Sequence, residues 1–155
     1  GIWTECTSAN SFCSTSLSSA HYRDESTGLI WSKPCNGAGC DSFSTSSPLT
    51  YAWASSTTNA NNFSTAQSAT STASGLCTNG DHAESGWSLP HQKQLMQAYI
   101  DGAYGNVEDL ASTRRYWSAT TASHATASAW DTEFSRGVTQ ATAKATTALN
   151  VRCVR

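Results

Sequence analysis

Six cysteines, Cys6, Cys13, Cys35, Cys40, Cys77 and Cys153, are the side chains of this 155-residue chain with the widest choice of chemistry. A thiolate can attack an electrophile, bind a metal or close a disulfide. Zinc sites usually draw on Cys-x-x-Cys pairs, and none is present. An even count in a chain rich in Ser and Thr favours disulfides and an oxidising compartment. Many pairings are open to six cysteines. The short separations make Cys6–Cys13 and Cys35–Cys40 attractive, which leaves Cys77 with Cys153. A bridge closing that long loop contributes about 4–5 kcal/mol when disulfides are treated as constraints on the unfolded chain. Catalysis by one of these cysteines would instead need a free thiol with a depressed pKa.

Other reactive groupings are sparse. No phosphate-binding loop, dinucleotide fingerprint, Gly-x-Ser-x-Gly elbow or His-Glu-x-x-His helix occurs. His21, His82, His91 and His124 stand apart, and each reads as a surface or structural residue. Asn79, Asp81 and Glu84 form one oxygen-rich stretch, and Asn106, Glu108 and Asp109 another. Calcium prefers such donors, but neither follows the EF-hand spacing, so solvated acidic turns are the better reading. No resident cofactor is expected, with calcium as the alternative. Trp117 and Trp130 could stack on a sugar face. Trp31, Trp87 and Trp117 nevertheless read as core residues, and Trp130 leans only slightly that way.

The elements that must position these groups fit one domain. Charged residues make up only 13% and net charge is −2, yet six Trp, five Tyr and four Phe can anchor a core, so the composition is not that of a disordered chain. Roughly three residues in ten are Ser or Thr, well above ordinary usage. Such a polar, Lys-poor surface suggests an extracellular or cell-surface protein. No run of 18 apolar residues exists to span a membrane. No signal peptide is visible, and the chain reads as a mature fragment or excised domain. Residues 1–110 carry three basic against nine acidic side chains, and residues 111–155 six against two. A basic end of this kind could steer a polyanion, although scattered solvated arginines explain it as well. No nucleic-acid partner is expected.

Residues 24–31 read as a turn into a strand at Leu29-Ile30-Trp31, and 34–40 as a stapled loop. Thr50 is placed to cap a helix entered by Tyr51-Ala52-Trp53-Ala54. Phe63, Ala66, Thr70, Ala73 and Cys77 fall at helical spacing and predict a helix ending near Gly75. The low-complexity stretch 55–62 can loop out. Ser88 and Pro90 predict the start of a helix whose apolar face is Leu95, Met96, Tyr99 and Ile100, and Asp101-Gly102 ends it. Residues 102–113 read as a loop. From Tyr116 onward the period changes to two, with a turn at Arg136-Gly137, strands on either side of it, and a last strand at 151–155. This is an α+β layout.

Six short motifs in order carry a resemblance. They are Asp24 with Thr27-Gly28-Leu29-Ile30-Trp31, the late helical Cys77, Trp87-Ser88-Leu89-Pro90 with Leu95, Tyr116-Trp117-Ser118-Ala119-Thr120, Ala129-Trp130 with Phe134 and Gly137, and Arg152-Cys153-Val154-Arg155. From about residue 24 to the end the chain resembles the Lcl C-terminal-domain family of bacterial surface adhesins. Ser88 and Gln94 replace that pattern's usual Arg and Glu, which reads as loss of a structural ion pair, and a neutral replacement of such a pair can cost little.

The resemblance implies a C-type-lectin-like fold with mixed antiparallel sheets and two helices, stapled by a Cys77–Cys153 disulfide. Residues 1–23 are then an N-terminal disulfide-closed extension and 24–155 the domain. It further implies a non-enzymatic binding module of a bacterial surface adhesin, fibre or pilus tip. The expected ligands are glycans, sulfated glycosaminoglycans among them, or surface proteins, with homotrimeric or fibre assembly. Arg114, Arg115, His124, Arg136 and Lys144 are the candidate contacts, Trp130 the candidate platform, and the small polar loop 121–128 a natural place for recognition. A relative of formylglycine-generating enzymes and a packing module of a fibre or pilus are the alternatives.

Overall fold

The computed structural model describes residues 1–6, 21–36, 49–54, 72–79, 86–107 and 114–155. Within them, three small antiparallel sheets and three helices form a mixed α+β architecture. The first sheet has the order β1 (Trp3–Glu5), β2 (Tyr22–Asp24), β3 (Ile30–Trp31). The second pairs β4 (Tyr51–Ala52) with β8 (Ala148–Leu149). The third has the order β5 (Arg115–Thr121), β6 (Ser128–Glu133), β7 (Val138–Ala143).

The Asp24 motif builds the β2–β3 turn. Asp24 is buried, and its carboxylate accepts hydrogen bonds from the Ser26 amide at 2.9 Å and the Thr27 hydroxyl at 2.7 Å. Gly28 closes the turn onto the Asp24 carbonyl with φ +75°, a conformation that a β-carbon strains. The boundary expected between residues 23 and 24 falls inside β2. Residues 3–5 are paired to that strand, and the Trp3 indole donates to the Asp101 carbonyl at 2.8 Å. The N-terminal strand is thus part of the sheet rather than an appendage.

Helix α1 (Ala73–Asn79) runs through Gly75 rather than ending there, and it buries Leu76 and Cys77. The Thr72 carbonyl accepts from the Gly75 and Leu76 amides and so starts its first turn. The earlier part of the expected helix, with Phe63, Ala66 and Thr70, lies outside the described residues, as does 55–62. Thr50 starts no helix: Tyr51 and Ala52 find cross-strand partners in Leu149 and Ala148, and that ladder overrides the local capping signal.

Helix α2 (Gln92–Ile100) starts later than Ser88 and Pro90 suggested. Its N-cap is His91, whose amide donates to the Gln94 side-chain oxygen at 2.7 Å. Gln94, one of the two residues noted above as replacing a charged side chain, thus has a local task at the helix entrance. Ser88 instead exchanges backbone hydrogen bonds with Val154 at 2.8 Å each way. Leu95 and Ala98 form the buried face of α2, and Gly102, in the left-handed conformation at φ +76°, ends it beyond Asp101. The following segment is not simply a loop, because Ala103–Asn106 forms a short helix, α3.

The chain end is the keystone. Residues 151–155 run extended between two segments, bonded to Ile30, Ser32 and Cys35 along one side and to Ser88 on the other. The Cys77–Cys153 disulfide spans 76 residues and ties α1 to this segment. Two buried clusters flank it: one holds Trp53, Leu76, Trp87, Trp117 and Cys153, the other Tyr22, Trp31, Leu95, Tyr116, Phe134 and Val154. Trp31, Trp87 and Trp117 are buried, as their motifs predict. Cys6 and Cys35 are also disulfide-bonded. Their expected partners Cys13 and Cys40 lie outside the described residues. No described helix is long and apolar enough to cross a membrane.

Candidate functional site

Strands β5 and β6 are packed on both faces of the β5–β6–β7 sheet over most of their length, and that decides what their side chains can reach. Tyr116, Thr132 and Phe134 point toward α2, where the Gln92 side-chain amide donates to the Thr132 hydroxyl at 3.0 Å. Trp117 points the other way and donates its indole N–H to the Tyr51 carbonyl at 2.7 Å. The central strand β6 therefore buries Asp131, Thr132, Glu133 and, just beyond it, Phe134 in succession. A polar–apolar alternation predicts one wet face here, but the sandwiching covers both.

Trp130 lies at the open end of this strand. It shares a face with Thr132 by the two-residue strand period, and its cross-strand partner on β7 is Ala141. It is half-buried, and the exposed His124 ring approaches it in an edge-on arrangement with centroids 6.0 Å apart and planes at 63°. The intervening loop is pinned by its own backbone. Ala122 donates to Ser128, Ser128 to Ala125, Ala125 to Ala122, and Lys144 to Ala127, at 2.8–3.1 Å. A break in β5 register between Trp117 and Thr121 gives the strand extra residues at this end. The result is an aromatic surface beside a loop held by its own backbone hydrogen bonds.

Arg115, Arg136 and Lys144 do not join it. Arg115 sits opposite Glu133 across the strands, on the face away from Trp130, and grips both oxygens of buried Asp131, one at 2.7 Å. The Asp131 pKa is raised because burial outweighs the lowering by its hydrogen bonds to Arg115 and Thr142. Arg136 holds Glu133 through two hydrogen bonds of 2.7 and 2.8 Å. Lys144, expected as a ligand contact, has no exposed surface. Its ammonium lies 4.2 Å from the centroid of the Trp53 ring and donates to the Thr121 hydroxyl at 2.8 Å, and burial lowers its pKa. Arg114 is half-buried just before β5. Arg152 is buried, donating to the Ser32 carbonyl at 2.7 Å, and Arg155 lies over the Trp87 ring. Asp131 and Glu133 absorb the charges of Arg115 and Arg136, although neither acid stands out in the sequence as a site residue. Only the cross-strand register could have found them.

The Glu133–Arg136 pair predicts a pH response. The Arg136 hydrogen bonds, helped by the Ser135 hydroxyl, hold the Glu133 carboxyl at about 2, below its ordinary 4.5. Stability from this group is therefore complete above about pH 4.5 and lost as pH falls through about 2. Glu133→Gln should flatten the acid limb of unfolding across that window. Identical acid limbs for the two proteins would show that the pair contributes nothing.

Among the described residues, no group of three metal-ligating side chains gathers. Asp81, Glu84, Glu108, Asp109 and His82 lie outside them. His21 is buried against Trp87 at 5.1 Å, and His91 heads α2.

A family model, the Lcl C-terminal domain, matches residues 20–155. No curated protein matches the sequence.

Proposed function

The chain belongs to the Lcl C-terminal domain family, and from that premise we propose that it is an extracellular, non-enzymatic binding domain of C-type-lectin-like fold. It serves a bacterial surface adhesin, fibre or pilus tip and recognises a glycan or a surface protein. The observation that carries this reading is the Trp130–His124 surface on its pinned loop. A side chain that could pack inside instead meets solvent on a rigid support, as recognition requires. Disulfides at all four described cysteines support an oxidising location and leave none of these four as a thiolate nucleophile of the formylglycine-generating kind. A broad array of glycans, glycosaminoglycans and cell-surface proteins tests the proposal. Saturable binding of one class is expected, and failure to bind any would sink it.

One observation favours the packing module of a fibre or pilus as a second reading. Ile2, Ile100 and Tyr104 are exposed by 71%, 67% and 46%, close in sequence to the contact between the N-terminal strand and Asp101. Sizing in solution separates the two readings: a strictly monomeric protein that retains a ligand is a receptor, not a packing unit.

A further inference from the structure

We infer that the ligand of the Trp130 surface is an uncharged sugar, held by stacking of its C–H face on the indole, and not a sulfated polyanion. This rests on the glycan-binding reading above and names its chemistry. Residues 121–130 contain no Lys, Arg, Asp or Glu, and neither does β7 from Val138 to Ala143. Arg115 and Arg136 are ion-paired on or beside the opposite face of the sheet, and Lys144 is buried. Beside the His124 imidazole, a sulfate brought to Trp130 would find no Lys or Arg to offset the water it loses, which is costly. A neutral sugar carries no such penalty.

The surroundings suit a pyranose. Ala141 directly opposite Trp130, and Ala143 opposite Ser128, put small side chains beside the indole. They leave lateral room for a ring to lie against it. Hydroxyls belong to the same region: Ser123 is exposed, and Thr126 and Ser128 are half-buried. Among the described residues no strand pairs beyond β7, so its outer edge can offer backbone groups to sugar hydroxyls. Aromatic ring, polar fringe and the lack of Lys, Arg, Asp and Glu together match the apolar face and hydroxylated rim of an uncharged hexose.

The test uses the intact, disulfide-bonded protein with two kinds of probe: oligosaccharides ending in galactose, glucose or N-acetylglucosamine, and heparin fragments. Expected are binding of a neutral probe, a change in tryptophan fluorescence, and an affinity that stays level between about 50 and 500 mM salt. Trp130→Ala should lower that affinity by about tenfold or more, and Trp130→Phe by less. Thermal unfolding of both variants verifies that they fold. Should Trp130→Ala unfold, the fluorescence and salt responses of the Phe variant carry the test. Neutral-sugar binding indifferent to Trp130, or binding of heparin alone that weakens with salt, overturns this inference and leaves the glycan-binding reading standing. Binding of proteins but no sugar overturns both the inference and the glycan reading.

Discussion

Replacing Cys77 and Cys153 together by alanine should lower stability by about 4–5 kcal/mol, the value expected for a bridge that closes so long a loop. The bond spans 76 residues and joins α1 to the extended chain end. That end lies between residues 30–35 and Ser88 and bonds to both sides. Once the link is gone, the unfolded chain regains its freedom while the folded chain end keeps these hydrogen bonds and the packing of Val151 and Val154. A domain of this size commonly has only about 5–15 kcal/mol of stability in all. The double variant is therefore expected to unfold at a much lower denaturant midpoint, or to fail to fold at 37 °C. Unfolding in urea measures the difference. A midpoint within error of the parent would show that the β-ladders alone hold the chain end.

Trp117→Ala should cost a comparable amount, about 3–5 kcal/mol. The indole has no exposed surface and packs in the cluster that contains Tyr51, Trp53 and Val151. Truncation leaves a cavity between β5 and the β4–β8 sheet. It also strips the Tyr51 carbonyl of its buried donor, which stands at 2.7 Å in the parent. Trp117→Phe separates the two effects. It retains much of the packing and loses the hydrogen bond, so a smaller loss of about 1–3 kcal/mol is expected. Equal losses for the two variants would assign the whole effect to the indole N–H. A loss below about 1 kcal/mol for Ala would contradict the place of Trp117 as a core anchor.

The framework was legible in particular residues. Large aromatics within short apolar motifs seldom stay wet, and Trp31, Trp87 and Trp117 are all buried. Cys77–Cys153 followed from the leftover pairing and the family pattern, and the bond is present. Helix α2 was recognised from its apolar spacing and its Gly102 stop. Its start was misplaced because Ser88, which could cap a helix by type, is engaged by Val154 from the far end of the chain. Tyr51 starts no helix for the same kind of reason, since its partner Leu149 lies near the other end of the chain.

The candidate site was only half legible. His124 and Trp130 could be singled out because a small polar loop beside an aromatic residue is a local feature, and the structure brings the two rings together. The net charge of the last 45 residues suggested a basic patch, and that was misleading. Arg115 and Arg136 are matched to acids of β6, and Lys144 is enclosed beside Trp53.

By itself, the sequence determined the family, the long disulfide, the aromatic core and the α+β composition of this protein. These depend on residue type and short-range order, which a single chain displays directly. Tertiary structure alone decided which charges are neutralised, which hydroxyls and carbonyls serve the core, and which tryptophans keep a face to solvent. Those outcomes depend on strand register, in which a shift of one residue reverses every side chain. Register is set by the packing of both sheet faces together, so it is not written in any one segment.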